Sequence, residues 1–189
     1  MAIRTAMSPS ILKRESDVVM LHDKIYTAAK ELIRRNGTRD PFAICRAVGV
    51  SVVETELGSL KGMYTRVLRN RYALINSSLD ERTRRVVCAH ELGHDRLHGD
   101  LAGDFRLREF VLYRMDERPE YEANIFAAHL LLDEEEVYSY VKEGYDAVQI
   151  AAFMDTDVNL MLLKLCEMST ERDLKIRPPA RPRSNFLRY

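Results

Sequence analysis

A chain of 189 residues with 46% apolar side chains is long enough for one domain with a substantial core, and 29 Lys and Arg against 29 Asp and Glu leave it without net charge. No global field therefore draws it to nucleic acid or to an anionic membrane, so any such contact has to be local. Its three cysteines are odd in number, widely spaced and without a C-x-x-C pair, which argues against a disulfide framework and for buried thiols in a reducing compartment.

The N-terminal segment carries Arg4, Lys13 and Arg14 but no apolar run long enough for a signal peptide, and no later stretch approaches transmembrane length. A cytoplasmic protein with no membrane partner is expected. Residues 1 to about 16 read as frayed. Helical periodicity begins near Val18 and continues through Leu21, Ile25, Ala28, Ala29 and Leu32 until Gly37 stops it. Asp40 before Pro41 is an N-cap with proline in the first turn, opening a short helix through Ile44, Cys45 and Val48 that Gly49 closes. From Val50 the pattern turns β-branched and aromatic, predicting strands over 50–56, 62–68 and 72–76, the last two a hairpin about Arg69, Asn70 and Arg71.

Ser78 and Glu81 form a capping box, which predicts a helix over 79–98 ending at Gly99. Within it lies VVCAHELGHDRLH, where His90 and His94 stand one turn apart on the same side. Val86, Gly93 and Leu97 share their stripe, so both imidazoles face inward. At that spacing two ring nitrogens can bind one zinc ion, and Glu91, about 100° round the helix, can serve an activated water as base instead of ligating. The chemistry implied is hydrolysis. Cys88 lies on another face and suits a buried apolar role.

A catalytic zinc usually has three protein ligands. Asp100 is one candidate, but sites that use such a residue turn the chain with a glycine three positions after the second histidine, and here that position is Leu97. The other candidate lies on the next helix, expected over 119–132. There Glu122, Ile125, Phe126, His129 and Leu132 share a face, so Glu122 is a carboxylate on the buried stripe and needs a partner. Glu117 and Glu120 read as first-turn acids favoured by the helix dipole, and His129 as a core residue.

Asp133 with Glu136 starts a further helix that Gly144 ends. Residues 146–168 then read as two short helices across a tight turn at 155–157. The stretch 159–168 offers only Lys164 as a cation, so this helix-turn-helix-like pair is expected to serve structure or partner docking, with direct DNA binding disfavoured. The tail from Glu171, rich in Pro and Arg, reads as disordered and basic.

VVCAHELGHDRLH followed by EYEANIFAAHLLL resembles the ImmA/IrrE family of metallopeptidases, and PFAICRAVGVSVV, GMYTR and ALINSSL agree with it. The resemblance covers roughly residues 40–166. It implies one Zn(2+) per chain held by His90, His94 and Glu122, with Glu91 as catalytic base. It also implies the function of ImmA proteins of mobile genetic elements: site-specific cleavage of a helix-turn-helix repressor, the protein partner. The expected fold is α+β, a zincin-like metallopeptidase domain over 17–143 with a small sheet and the His-Glu-x-x-His helix. A helical subdomain over 144–170 and the tail over 171–189 complete it. Tyr64 and His98 are candidate transition-state donors, and the strand at 62–68 could hold substrate by strand addition. The alternative is a non-proteolytic regulator with a structural metal, acting by partner or DNA binding. Glu91 speaks against it, since a structural zinc needs no base.

Overall fold

The chain runs α1 (Pro9–Asn36), α2 (Pro41–Val48), β1 (Val50–Thr55), β2 (Gly62–Val67), β3 (Asn70–Asn76), α3 (Glu81–His98), α4 (Glu117–Leu131), α5 (Glu134–Lys142), α6 (Ala147–Phe153) and α7 (Val158–Glu171). This is a computed structural model that describes residues 9–99 and 117–171, and side chains over 22–99 and 118–169. Asp100 and the tail beyond 171 lie outside the described residues. The architecture is the α+β one expected.

Most helix ends follow local chemistry. Asp40 accepts the Phe42 and Ala43 N–H groups, and Gly49 ends α2 at φ +77, a conformation that a side chain would strain. Two ends differ from expectation. α1 begins at Pro9 rather than near residue 18, with proline at the first helical position, where its fixed φ fits and no N–H is missed. α3 is capped by Asp80, whose carboxylate accepts the Thr83 N–H and hydroxyl, while Ser78 instead donates to Asn76 Oδ1.

The sheet has the order β1-β3-β2, with β1 parallel and β2 antiparallel to β3. Val67 pairs with Asn70, so the hairpin loop is Leu68 and Arg69, tighter than the expected three-residue turn. Leu68 takes a left-handed φ of +56 there and is almost fully exposed. At the other end buried Asn76 donates to the carbonyls of Gly58 and Leu60, pinning the β1–β2 connection beside the start of β2. β2 is an edge strand.

One core joins Ile25 of α1, Ile44 of α2, Ile75 of β3, Leu92 of α3, Phe126 of α4, Ile150 of α6 and Met161 of α7. The C-terminal helices share that core, so no break in packing marks residue 144. No helix among the described residues is long and apolar enough to cross a membrane.

α4 is the hub, packed against α1, α3 and α7. On its side away from α3, Lys164 of α7 is buried and donates to His129 Nδ1 at 3.0 Å, with Glu134 at 3.7 Å. Nearby, His22 of α1 pairs with buried Glu167 at 2.5 Å, and the Tyr121 hydroxyl donates to Glu167 at 3.1 Å. The one cation that 159–168 offers therefore points inward. Burial, and then the Lys164 charge, push the His129 pKa down from 6.5 to about 2. Its folded value lies below its unfolded one, so the neutral ring's contribution to stability is complete above the ordinary histidine range and is lost progressively as pH falls below that range toward the folded value. Denaturant unfolding is expected to show lower stability at pH 5 than at pH 7.5, with a shallower dependence in His129→Gln, whose amide oxygen can still accept from Lys164. An identical slope in the variant would place the titration elsewhere.

Candidate metal centre

The geometry starts at a glycine. A Cβ on Gly93 of α3 would lie 3.1 Å from the Ala123 Cα, 3.1 Å from the Ala123 carbonyl oxygen and 3.1 Å from the Phe126 ring, all on α4. Two of these are backbone atoms, so a side chain here would require α4 to give by a few tenths of an ångström. Glu120 and Asn124 lie one turn apart on α4 and flank Ala123 on the face turned to α3. The Asn124 Oδ1 sits 2.8 Å from His90 Nδ1, which donates to it. That bond fixes the ring and leaves the lone pair on Nε2. The Nε2 atoms of His90 and His94 lie 3.0 Å apart. Glu120 reaches both, Oε2 at 3.3 Å from His90 and Oε1 at 3.5 Å from His94. These three residues offer ligand atoms all within 4.8 Å of one another, a group that could hold a metal ion. Burial works against a charged His90, but Glu120, Glu91 and Asn124 outweigh it and raise its pKa above the ordinary value.

The carboxylate brought to the histidine pair is thus Glu120, where Glu122 was expected. Two positions apart on a helix are about 200° apart in direction. Glu122 turns toward the end of α3, where His98 Nε2 donates to it at 2.9 Å, and Arg118 donates to its other oxygen at 2.8 Å. Burial singled out Glu122, whereas the side chain at the histidines, Glu120, is 20% exposed because the centre opens to solvent. Its sequence signal was available: Glu120 and Asn124 stand at the i, i+4 spacing that shares a face.

Glu91 is buried on α3 beside β2. A Cβ on Gly62 would collide with Val87 and lie 2.7 Å from Glu91 Oε1, so the first residue of the edge strand rests against this carboxylate. Tyr64 points elsewhere: its hydroxyl donates to Asp95 Oδ1 at 2.8 Å, and burial together with that bond pushes its pKa up. Buried Asp95 also accepts from Arg71 at 3.0 and 2.9 Å and pairs with Arg96 at 3.2 Å. Arg71 donates in addition to the Val48 carbonyl. This cluster clamps α2 and the sheet to α3 next to His94. Cys88 Sγ lies 3.9 Å from Cys45 Sγ, and that contact and burial push its pKa up, so it is an inert thiol. Asn124, Asp95 and Gly62 are the residues that sequence reasoning passed over.

Comparison with known proteins now decides the family. A model described as IrrE N-terminal-like domain, of the M78 peptidases, matches residues 45–161, from α2 into α7. The chain belongs to the ImmA/IrrE peptidase family. It is 33% identical over 141 residues to the uncharacterized immunity region protein 2 of Bacillus phage phi105, covering 74% of this chain and 88% of that protein. It is 25% identical over 148 residues to the metallopeptidase ImmA of Bacillus subtilis (strain 168), covering 75% and 83% respectively. The matched span holds every element of the centre. Its α+β architecture, a His-Glu-x-x-His helix packed on a small sheet, is the zincin-like one expected of an ImmA/IrrE peptidase.

The contact at Gly93 makes a direct prediction. Alanine there gains ~1 kcal/mol of helix propensity, but overpacking against a neighbouring backbone costs about 1–3 kcal/mol. Gly93→Ala should be destabilised by about 1 kcal/mol net in urea unfolding. Equal or higher stability would show that α4 can give way and that the close approach is not held by this position.

Proposed function

We propose that the chain is a zinc-dependent endopeptidase that cleaves a regulatory protein of the helix-turn-helix repressor class in the cytoplasm. The observation that carries the reading is the convergence of His90 Nε2, His94 Nε2 and the Glu120 carboxylate, with Glu91 one residue from His90 on the same helix. The donor set fits the ion. Two imidazole nitrogens and a carboxylate suit zinc, and the Asn124 bond holds His90 in the tautomer that a ligand requires. The family supports a peptidase, and the two relatives support a setting in mobile-element immunity and a protein substrate. Buried thiols at Cys45, Cys88 and Cys166 agree with a reducing compartment.

The chemistry a zinc ion supplies in such a position is Lewis-acid: polarisation of a carbonyl and a lowered pKa for water. The chain's own residues do the rest. Glu91 takes a proton from the attacking water and delivers it to the leaving amine. The β2 edge, brought against Glu91 at side-chain-free Gly62, orients an extended peptide as an added strand. Glu122 lies outside the ligand set in this reading and holds His98 in place.

Two measurements test it. Elemental analysis should find about one zinc per chain, lost in Glu120→Ala and largely kept in Glu122→Ala. The reverse pattern would return ligation to Glu122. Glu91→Gln keeps the size and hydrogen-bonding atoms of the side chain but accepts no proton, so zinc and fold should persist while cleavage falls roughly a hundredfold or more. Cleavage near the unmodified rate would remove Glu91 from the mechanism and favour a metal kept for structure.

A further inference from the structure

A groove of about 830 Å³ runs along the N-terminal half of α3 and is walled by α6 and the turn into α7. Its floor is apolar, with Val86 facing Val148, Ala151 and Ala152. Its rim carries the carboxylates of Asp80, Glu81, Asp155 and Asp157 against two cations, Lys61 and Arg82. Arg82 is already paired with Asp155 at 2.6 Å. Asp80 and Asp157 cap α3 and α7, so the helix ends offset part of their charge, and exposed Glu81 tips the balance to negative.

Three observations separate this groove from an ordinary crevice. Val148 is 65% exposed, and the apolar surface continues outward through Phe153 and Tyr145, whose rings meet edge-on at 5.0 Å. Thr156 lines the groove with its hydroxyl buried and without a hydrogen-bond partner among the described residues. Lys61, at one end, immediately precedes Gly62, which rests on Glu91. A chain held in the groove therefore leads to the candidate centre.

We propose that this groove docks a helical segment of the protein substrate, apolar on the face laid over Val148 and Ala151 and carrying Arg or Lys along the flank that meets Glu81 and Asp157. The occupant is helical because a helix satisfies its own backbone and can lay one apolar face over Val148 while its flank meets the charged rim. It is cationic because the rim is acidic. For the same reason it is not nucleic acid, which would also find no exposed cation on the described part of 159–168. The inference rests on the peptidase reading above, and it supplies the selectivity such an enzyme needs: two contacts on one partner raise the local concentration of the segment to be cut.

The test uses the full-length Glu91→Gln chain and fluorescence anisotropy. The probes are a Leu-rich amphipathic peptide of about 18 residues, five helical turns, with Arg along one flank, the same peptide with Glu in place of Arg, and a short DNA duplex. The Arg peptide should bind about tenfold or more tighter than either of the others. Val148→Lys and Ala152→Arg, both at exposed helix positions, should each weaken it about tenfold with unchanged circular dichroism and metal content. Equal binding of the Glu peptide, preference for DNA, or indifference to both substitutions overturns the proposal. Binding is read without cleavage, so the two readings fail separately. A chain that docks the Arg peptide but cuts no protein keeps the groove and loses the peptidase, and one that cuts without docking does the reverse.

Discussion

The distance between α3 and α4 is set where Gly93 meets the Ala123 backbone, and the candidate centre inherits its geometry from that contact. With the helices this close, residues one turn apart on α4 reach the imidazoles of α3: Asn124 orients His90, and Glu120 faces the gap between the two rings. No loop takes part among these groups. A site built on packed helices holds its donors to the tolerance of the core, which suits ligation and proton transfer alike. The sheet is fastened to the same helix by the Asp95 cluster, which keeps Gly62 against Glu91. The Gly93 contact and the buried Asp95 carboxylate thus position the two histidines, Glu120, Glu91 and the edge of β2.

The polar residues of α4 divide by direction. Glu120 and Asn124 face α3, Glu122 faces the end of α3, and Tyr121 and His129 face α1 and α7, where they meet Glu167 and Lys164. Burying that many polar groups is costly unless each finds a partner, and the partners come from different helices. Each pairing therefore also specifies which helix packs where. Arg39 closes the arrangement at the end of α4 by donating to the carbonyls of His129 and Leu130 and pairing with Asp133.

The C-terminal pair α6 and α7 has the outline of a helix-turn-helix but no exposed cation on the described part of 159–168. Its cation is spent internally on His129, its exposed side chains include Val148 and Phe153, and its turn faces the N-terminal half of the active helix.

Much was legible from spacing alone. The positions of His90, Glu91 and His94 follow from helical periodicity, the ends of α2 and α5 from Asp40, Gly49 and Asp133, and the burial of Cys45 and Cys88 from their context. Periodicity gives the angle of a side chain around its own helix. It does not give the distance to another element, and the third carboxylate depends on that distance: the buried stripe favours Glu122, and only laying α3 across α4 at Gly93 brings Glu120 to the histidines. Asp95 was invisible for the same reason, since its three basic and phenolic partners come from β2, β3 and its own helix. The α3 cap was misplaced at Ser78 because Asn76, ending a strand, captures that hydroxyl. Sequence by itself determined that His90, Glu91 and His94 share one helix at the spacing of a metal site; tertiary packing decided which carboxylate lies beside them, because that requires contacts between residues far apart in the chain.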